Sequence, residues 1–326
     1  MTPRNSAATA LAVLLIAGAA SAQTPDSSRG KGGDPLDNAK TSWYYDRYLD
    51  EVWAKKAMEQ THVALRTAEF REALRNFDSS ALPRLPLTYD QFLTATETVF
   101  HAMQVGLPGG AQKKVTFFGE ILDENGKVLA DFEERTSVVE SKDDRLVERA
   151  FLLPAKPAVA TLGIAVGREI IGLARVTIGD EAAAAPKTTA VSRLLVSNNV
   201  YNLDKQQKPF EPFAFGGTKV VPKPDRSFRR SDEVWLFTEI RNPSLGDGNA
   251  PRLTMHVEID GNGKKVRIPA TAAEASPLKG VPDHYGVGTT INVASLQPGQ
   301  YQLKFTLVDA VTKQAYEREQ TITIVE

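Results

Sequence analysis

Residues 296–325, LQPGQYQLKFTLVDAVTKQAYEREQTITIV, are the stretch that most constrains how this chain can fold. Apolar and polar side chains alternate in it twice, over positions 301–307 and again over positions 316–324. A period of two is typical of strands with one buried face. Pro298 and Gly299 precede the first run, and positions 309–313 suit a turn between the two runs. The pattern predicts an antiparallel hairpin that closes an immunoglobulin-like sandwich.

The same pattern occurs earlier in the chain. Residues 122–128 (LDENGKV) parallel residues 259–266 (IDGNGKKV), and the run 157–166 parallels 298–307 at nearly the same offset. Two matched landmarks in the same order favour duplication of one module. The sequence therefore predicts a mainly β fold, with two tandem antiparallel immunoglobulin-like β-sandwiches preceded by an N-terminal α-helical segment. The first sandwich, of about six strands, is predicted at 87–180, a linker at 181–190 and the second sandwich at 191–326.

The N-terminus has the features of an export signal. Residues 1–22 contain Arg4, a short apolar run and a final Ala-Ser-Ala, which predict a secretory signal peptide cleaved before Gln23. The apolar run is too short to span a bilayer, and no other run is long enough. Gln23 is not cysteine, which excludes a lipoprotein anchor at that site. We therefore expect a periplasmic or secreted protein without a transmembrane segment in its mature form.

Composition excludes several classes of function. The chain has no cysteine, so stability outside the cytoplasm must come from buried cores, and thiolate zinc sites and cysteine nucleophiles are excluded. The net charge of −1 provides no long-range attraction for nucleic acid, and no nucleic-acid partner is predicted.

The segment before the first sandwich combines a polar leader with a helical pattern. Residues 23–40 predict a disordered leader. In residues 41–86, apolar positions recur at helical spacing until Pro83 and Pro86. Its aromatic patch has two interpretations: docking onto the first sandwich, or a helix that binds a partner or self-associates. The patch consists of Trp43, Tyr44, Tyr45, Tyr48 and Trp53.

A second aromatic group lies in the stretch KPFEPFAFGG, residues 208–217, and contains Phe210, Phe213 and Phe215. These rings either plug the open end of the second sandwich or form an exposed recognition edge. With the aromatic patch of the helical segment, they make up the predicted interaction surface.

The histidines do not form a recognisable site. No two of the four, His62, His101, His256 and His284, have the spacing of a helical zinc pair. His284 follows Asp283 in a predicted loop, and an acid–base pair there lacks a third group.

Other motifs also favour structural roles. Residues 106–114 lack the spacing of a phosphate loop, and residues 260–263 lack the carboxylates of a calcium loop. The basic residues Lys223, Arg226, Arg229 and Arg230 are interrupted by aspartates, so they predict a solvated loop. No catalytic, cofactor-binding or metal-binding residue is predicted.

Four pieces of the chain carry a resemblance to a known group of proteins. They are VTFFGEILDENGKVLADFEE (115–134), PFAFGGTKVVPKPDRSFRRSDEVWLFTEIRNP (212–243), LKGVPDHYGVG (278–288) and LQPGQYQLKFTLVD (296–309). The chain resembles poorly characterised, acidobacterial-type exported proteins with tandem immunoglobulin-like domains, often found beside GWxTD or von Willebrand factor A-related regions. It has no GWxTD motif, and its segment before Thr98 does not resemble a von Willebrand A domain. The resemblance implies an exported β-sandwich protein and supplies no catalytic residues.

These observations favour a non-enzymatic envelope protein that acts as a protein-binding or scaffold module. Its expected partner is another envelope or secreted protein, or a second copy bound through the N-terminal helix. One alternative is a carbohydrate-binding accessory module that uses Trp235 or Tyr285. A less favoured one is a hydrolase with a carboxylate near His284 in a deep cleft.

Overall fold

The computed structural model describes residues 63–93, 98–110, 112–154, 156–179, 188–202, 212–215, 218–246, 249–277 and 283–326. These residues form one α-helix, α1 (Ala68–Arg75), a 3-10 turn (Phe77–Ser79) and twenty strands. The strands are β1 Leu87–Leu93, β2 Thr98–Gly106, β3 Lys114–Asp123, β4 Val128–Ser137, β5 Val139–Ser141, β6 Asp144–Pro154, β7 Ala158–Val166, β8 Glu169–Ile178, β9 Ala190–Val191, β10 Leu195–Asn202, β11 Ala214–Phe215, β12 Thr218–Pro222, β13 Ser227–Arg229, β14 Glu233–Arg241, β15 Leu253–Gly261, β16 Lys264–Ala273, β17 Ala275–Pro277, β18 His284–Asn292, β19 Gly299–Asp309 and β20 Ala315–Val325.

The described strands form four sheets. Sheet I has the order β4-β3-β7-β8, and sheet II has the order β1-β2-β6-β5. Sheet III has the order β11-β12-β10-β14-β18-β17, with β9 also paired to β14, and sheet IV has the order β13-β20-β19-β15-β16. All pairs are antiparallel except β13 with β20. Sheets I and II enclose one apolar core, and sheets III and IV enclose another. The predicted mainly β fold of tandem sandwiches is confirmed.

Each strand of the first sandwich has a counterpart in the second. Strands β1 and β2 correspond to β10 and β14, and β3 to β8 correspond to β15 to β20, with the same pairings. With the eight shared strands of each sandwich lettered A, B, C, C′, D, E, F and G in chain order, one sheet has the order ABED and the other C′CFG. This is the arrangement of an immunoglobulin-like sandwich. Even the three-residue strands β5 and β17 occupy equivalent positions. The duplication inferred from two short landmarks thus extends to the whole strand order.

The second sandwich contains an insertion that the first lacks. Between β10 and β14, where the first sandwich passes directly from β1 to β2, the chain adds β11, β12 and β13. Strand β12 extends sheet III by pairing with β10, and β13 adds to sheet IV by pairing with β20. The insertion therefore enlarges both sheets of the second sandwich.

Strands β1 and β5 raise the first sandwich from the predicted six strands to eight. Strand β1 lacks a clear alternation because both of its faces are buried. Tyr89 points into the sandwich core, whereas Phe92 belongs to a cluster on the opposite face of sheet II. A strand buried on both faces has no polar face for a pattern of period two to reveal.

The helical prediction for residues 41–86 is only partly met among the described residues. Only α1 is α-helical in the interval 63–86. The chain after it turns to run beside β8, where Leu85 N–H donates to Leu173 O at 2.8 Å and Leu173 N–H donates to Pro83 O at 2.9 Å. Residues 83–85 therefore pair with the edge strand of sheet I, although the sequence predicted a helix that continued to Pro83 and Pro86. Residues 1–62, with the predicted signal peptide and leader, lie outside the described residues, as do residue 180 and residues 181–187 of the predicted linker.

Helix α1 covers the outer face of sheet I. Phe70 stacks on Phe118 with ring centroids 4.2 Å apart, and Leu74 joins the same buried cluster. The contact requires glycine at position 163, because a Cβ there would lie 2.2 Å from the Phe118 ring. The described part of the helical segment thus packs on the first sandwich.

Glu133 on β4 holds the start of this segment. Its carboxylate accepts hydrogen bonds from the hydroxyl of Thr67 at 2.6 Å and from the backbone N–H groups of Thr67 and Arg66, each at 2.9 Å. Burial raises the pKa of Glu133, but these hydrogen bonds and the charge of Arg66 outweigh it and hold the pKa below its usual 4.5. The ionised carboxylate therefore acts as a clasp between β4 and the residues before α1.

Acid is expected to release this clasp. Because the folded-state pKa is lowered, the stabilisation is complete above the ordinary carboxyl pKa and is lost as pH falls through the folded-state value. In amide NMR spectra, the Arg66 and Thr67 signals should titrate together with a midpoint below 4.5. Glu133→Gln should abolish that titration and expose residues 63–75 to proteolysis at neutral pH. Glu140→Gln, at an exposed position of β5, is the matched control; an unchanged titration in the Glu133 variant would contradict the assignment.

Candidate functional site

The predicted residues Phe213 and Phe215 lie between the two sandwiches. They belong to the insertion that carries β11 and β12, and they are 0% and 4% exposed. The interpretation of an exposed recognition edge is wrong for these two rings, because the first sandwich covers them. They also do not plug the open end of the second sandwich, since they pack on the outer face of sheet III. Phe210 and the predicted residues Trp43, Tyr44, Tyr45, Tyr48 and Trp53 lie outside the described residues.

The outer faces of sheets II and III form an apolar junction. Phe92 of sheet II contacts Phe215 and Phe213 edge-on, with ring centroids 5.1 and 6.4 Å apart. Phe215 also packs on Phe237 of β14, with centroids 4.1 Å apart. The other members of the cluster are Phe100, Ala102, Ala150, Leu152, Leu195, Val200 and Val220. Layers follow one another as α1, sheet I, sheet II, sheet III and sheet IV, with an apolar cluster at each contact.

A buried ion pair joins the sandwiches beside this apolar cluster. Lys219 of β12 lies 2.6 Å from Glu148 of β6, and the two side chains are 1% and 5% exposed. The Lys219 ammonium group also donates to the carbonyl of Pro212. Neither partner was identified from the sequence. The one signal that could have revealed the pair is that Glu148 shares a strand face with the apolar Leu146, Ala150 and Leu152, and that Lys219 directly precedes Val220 and Val221.

Polar contacts surround the junction. Lys223 lies 2.7 Å from Asp144, the side chain of Asn199 donates to Ser141 Oγ at 2.7 Å, and Gln104 donates to the carbonyl of Pro222. Lys223 is only 8% exposed, so the prediction of a solvated basic loop is wrong for this residue. Arg229 is 55% exposed in its ion pair with Asp143, so its predicted exposure to solvent is confirmed, but it lies at the end of strand β13 and not in a loop.

A cavity opens at one edge of the junction. Its empty volume, including the open mouth, is about 360 Å³. Thr88 and Tyr89 line it from β1, while Arg193, Lys223 and Arg226 line it from the second sandwich. The Arg193 guanidinium lies 5.1 Å from the centroid of the Tyr89 ring. The cavity therefore places three cationic side chains at the contact of the two modules.

The three described histidines lie within strands. His284 begins β18 opposite Arg241 and is 4% exposed, so the predicted loop position is wrong and the ring is enclosed. His101 is 1% exposed and hydrogen bonds through Nδ1 to the Tyr89 hydroxyl at 2.8 Å. Burial lowers the pKa of His101 to about 4, so its ring is neutral at neutral pH. His256 is half-buried on the outer face of sheet IV.

The two aromatic residues considered for carbohydrate binding do not share a surface. In β14, Val234, Leu236 and Ile240 face the core, so Trp235 faces the opposite side of sheet III. Tyr285 pairs directly with Ile240 and packs against that core. Paired residues share a face, so Trp235 and Tyr285 lie on opposite faces and cannot form one platform.

Within the parts of the chain that the structure describes, no three His, Cys, Asp or Glu side chains are grouped so that they could hold a metal ion. None of the helices in these parts is long and apolar enough to cross a membrane.

Removing the central ring of the junction should destabilise the whole body. Phe213→Ala deletes a fully buried ring, a change that costs about 3–5 kcal/mol in protein cores. We expect urea unfolding to show this loss and to separate into two transitions as the sandwiches uncouple. Val311→Ala, at a site that is 47% exposed, should change the free energy of unfolding by less than about 0.5 kcal/mol. A similarly small loss in the Phe213 variant would refute the role of the ring.

The Lys219–Glu148 pair should show strong coupling in a double-mutant cycle. Lys219→Met or Glu148→Leu alone leaves a buried charge without its partner and should cost about 3–5 kcal/mol. The double variant should recover most of that loss, because two apolar side chains suit the surrounding cluster. Chemical denaturation of the four proteins measures the coupling; additive losses would show that the two charges do not act together.

Comparisons with known proteins add no family assignment. No family model and no curated protein matches this chain. Among solved structures, the chain is similar to a protein from Bacteroides fragilis proposed to be a beta-galactosidase, with 10% sequence identity and a TM-score of 0.25. The match covers 29% of this chain and only 16% of that protein.

Proposed function

We propose that this protein is an exported, non-enzymatic scaffold that binds other proteins of the cell envelope. The observation that carries the proposal is the junction, where an apolar cluster and the buried Lys219–Glu148 pair hold two immunoglobulin-like modules together. Contacts between domains of one chain commonly permit relative motion, unless the interface is large and hydrophobic. The layered contact of sheets II and III therefore supports a rigid body.

Rigidity suits a scaffold for a physical reason. A partner that contacts both modules, or two partners that bind one module each, meets surfaces whose spacing is already set. Preorganisation of this kind reduces the conformational entropy lost on binding. An enzyme that closes over its substrate would instead need movable elements near its chemistry.

The outer face of sheet IV is one surface that such a partner could contact. Its charged side chains stand in rows across the strands: Lys304 lies 2.8 Å from Glu317, and Glu258 lies 3.3 Å from Arg267 and 3.4 Å from Lys265. Exposed pairs like these contribute little stability. On an interface they favour partner selection and fast association over affinity. The aromatic residues 43–53 remain the proposed source of affinity.

Export rests on the signal-like residues 1–22 and on the resemblance to exported proteins. N-terminal sequencing of the protein from the periplasm or medium should therefore give Gln23 as the first residue. Recovery of an uncleaved chain in the cytoplasm would contradict export and leave the scaffold role to be judged by its own experiment.

The binding role can be tested in the native host with a photoreactive amino acid. Introduced at Trp43 or Trp53, it should crosslink the same envelope protein in repeated experiments, whereas insertion at the core position Phe117 should capture none. Replacing both tryptophans by alanine should abolish co-purification of that partner and preserve the unfolding curve. Crosslinks only between copies would indicate self-association.

The same material distinguishes the alternatives. Retention on an insoluble polysaccharide, unchanged by the two alanines, would favour a carbohydrate-binding module. Hydrolysis of model esters or glycosides that is lost in His284→Ala would favour a hydrolase. Either result, with no reproducible protein partner, would overturn the scaffold proposal.

A further inference from the structure

We propose that the cavity at the sandwich junction is a binding site for a small oxyanion, either inorganic phosphate or the carboxylate of an organic acid. The residues that would recognise it are Thr88 of the first sandwich and Arg193 and Arg226 of the second. This inference is independent of the scaffold role, because it concerns a different surface and a different class of ligand.

An unsatisfied hydroxyl is the first argument for a ligand. Thr88 is only 9% exposed, and its Oγ1 atom has no hydrogen-bond partner in the structure. A buried polar group without a partner costs roughly 1–3 kcal/mol, and such groups are uncommon in native proteins. Because Thr88 lines the cavity, an acceptor held there could receive the missing hydrogen bond.

The charge of Arg226 is the second argument. Among the described residues, no carboxylate forms an ion pair with the partly buried Arg226. Burial and, second, the charge of Arg193 lower the pKa of Arg226, and both arginines line the cavity. An anion in the cavity would supply the counter-charge that Arg226 lacks, and guanidinium groups match the planar or tetrahedral arrangement of oxyanion oxygens.

Nearby acids are already engaged with other groups. Asp144 and Asp225 pair with Lys223 at 2.7 and 3.6 Å. Asp90 accepts hydrogen bonds from the backbone N–H groups of Gln91 at 2.7 Å and Arg193 at 3.3 Å. None of these three aspartates lines the cavity. Among the described residues, none of these three aspartates therefore neutralises the charge of Arg226.

The backbone holds Arg226 in place for this role. The residue has a positive φ of 54°. Its N–H donates to Lys223 O at 3.1 Å, and its carbonyl accepts from Thr323 N–H at 2.9 Å. A strained backbone conformation fixed from both sides is common at binding sites, where it aims a side chain.

The size of the cavity limits the ligand. Only about 40 Å³ of it can hold the centre of a water-sized sphere, where a single water molecule needs roughly 10–15 Å³. It suits a phosphate or a short carboxylic acid better than a nucleotide or an oligosaccharide. Because Thr88 and the arginines come from different sandwiches, the bound anion would also tie the modules together.

Calorimetric titration and thermal unfolding of the full chain test the site, with inorganic phosphate and succinate compared against chloride at equal ionic strength. We expect saturable binding of at least one anion and a rise in Tm that grows with its concentration. Arg226→Gln should weaken binding by about tenfold or more, as expected for loss of a charged hydrogen bond. Arg267→Gln, which removes the same charge at a 64% exposed site on sheet IV, should leave binding unchanged.

The Thr88→Val variant tests whether the Thr88 hydroxyl contacts the bound anion or binds no ligand. It is nearly isosteric, so the variant should fold, and without anion it should be at least as stable as the original chain. Weaker anion binding in this variant supports the site. Binding of phosphate alone, or of succinate alone, identifies the ligand class. The proposal would be overturned if neither phosphate nor succinate bound saturably. It would also be overturned if the Arg226→Gln and Thr88→Val variants bound the anion as tightly as the original chain does.

Discussion

The burial of one sheet face from each sandwich against the other is the contact on which the rest of the structure depends. Sheets II and III both carry apolar residues on the two faces, so neither sandwich could expose its outer face without a large apolar patch. Packing these faces together, with Phe213 and Phe215 between them, removes both patches from water. Two modules that could each have an independent core thus become one layered body.

The charged groups at this contact explain why the modules meet in one alignment. Apolar rings can slide over one another at small cost, whereas a displaced Lys219 would leave the buried Glu148 carboxylate without its counter-ion. The contacts of Lys223 with Asp144 and of Asn199 with Ser141 impose the same requirement nearer the edge. The cavity with Thr88 and Arg226 lies beside Lys223 at this polar edge.

Duplication has kept the strand order and changed the outer faces. Apart from the added β13, sheets I and IV have the same strand order, but α1 covers sheet I through Phe118, while sheet IV presents charged pairs such as Lys304–Glu317. The insertion before β14 belongs to the second copy alone and supplies Phe213, Phe215 and Lys219 of the junction. The two copies keep the same strand pairing but differ in the residues on their outer faces. For this reason each copy packs against different neighbours.

The sequence by itself determined the mainly β class, the closing hairpin and the repeat, because alternation along one strand is a local property that needs no knowledge of the partner. It could not determine the role of Phe213, Phe215, Lys219 or His284, because that depends on which surface covers each side chain. Strand β1 escaped detection for the same reason: burial of both faces erased its periodicity. Only the tertiary structure, by bringing the outer faces of sheets II and III together, decided that the most prominent rings of the insertion are internal and that cations converge on a cavity at their edge.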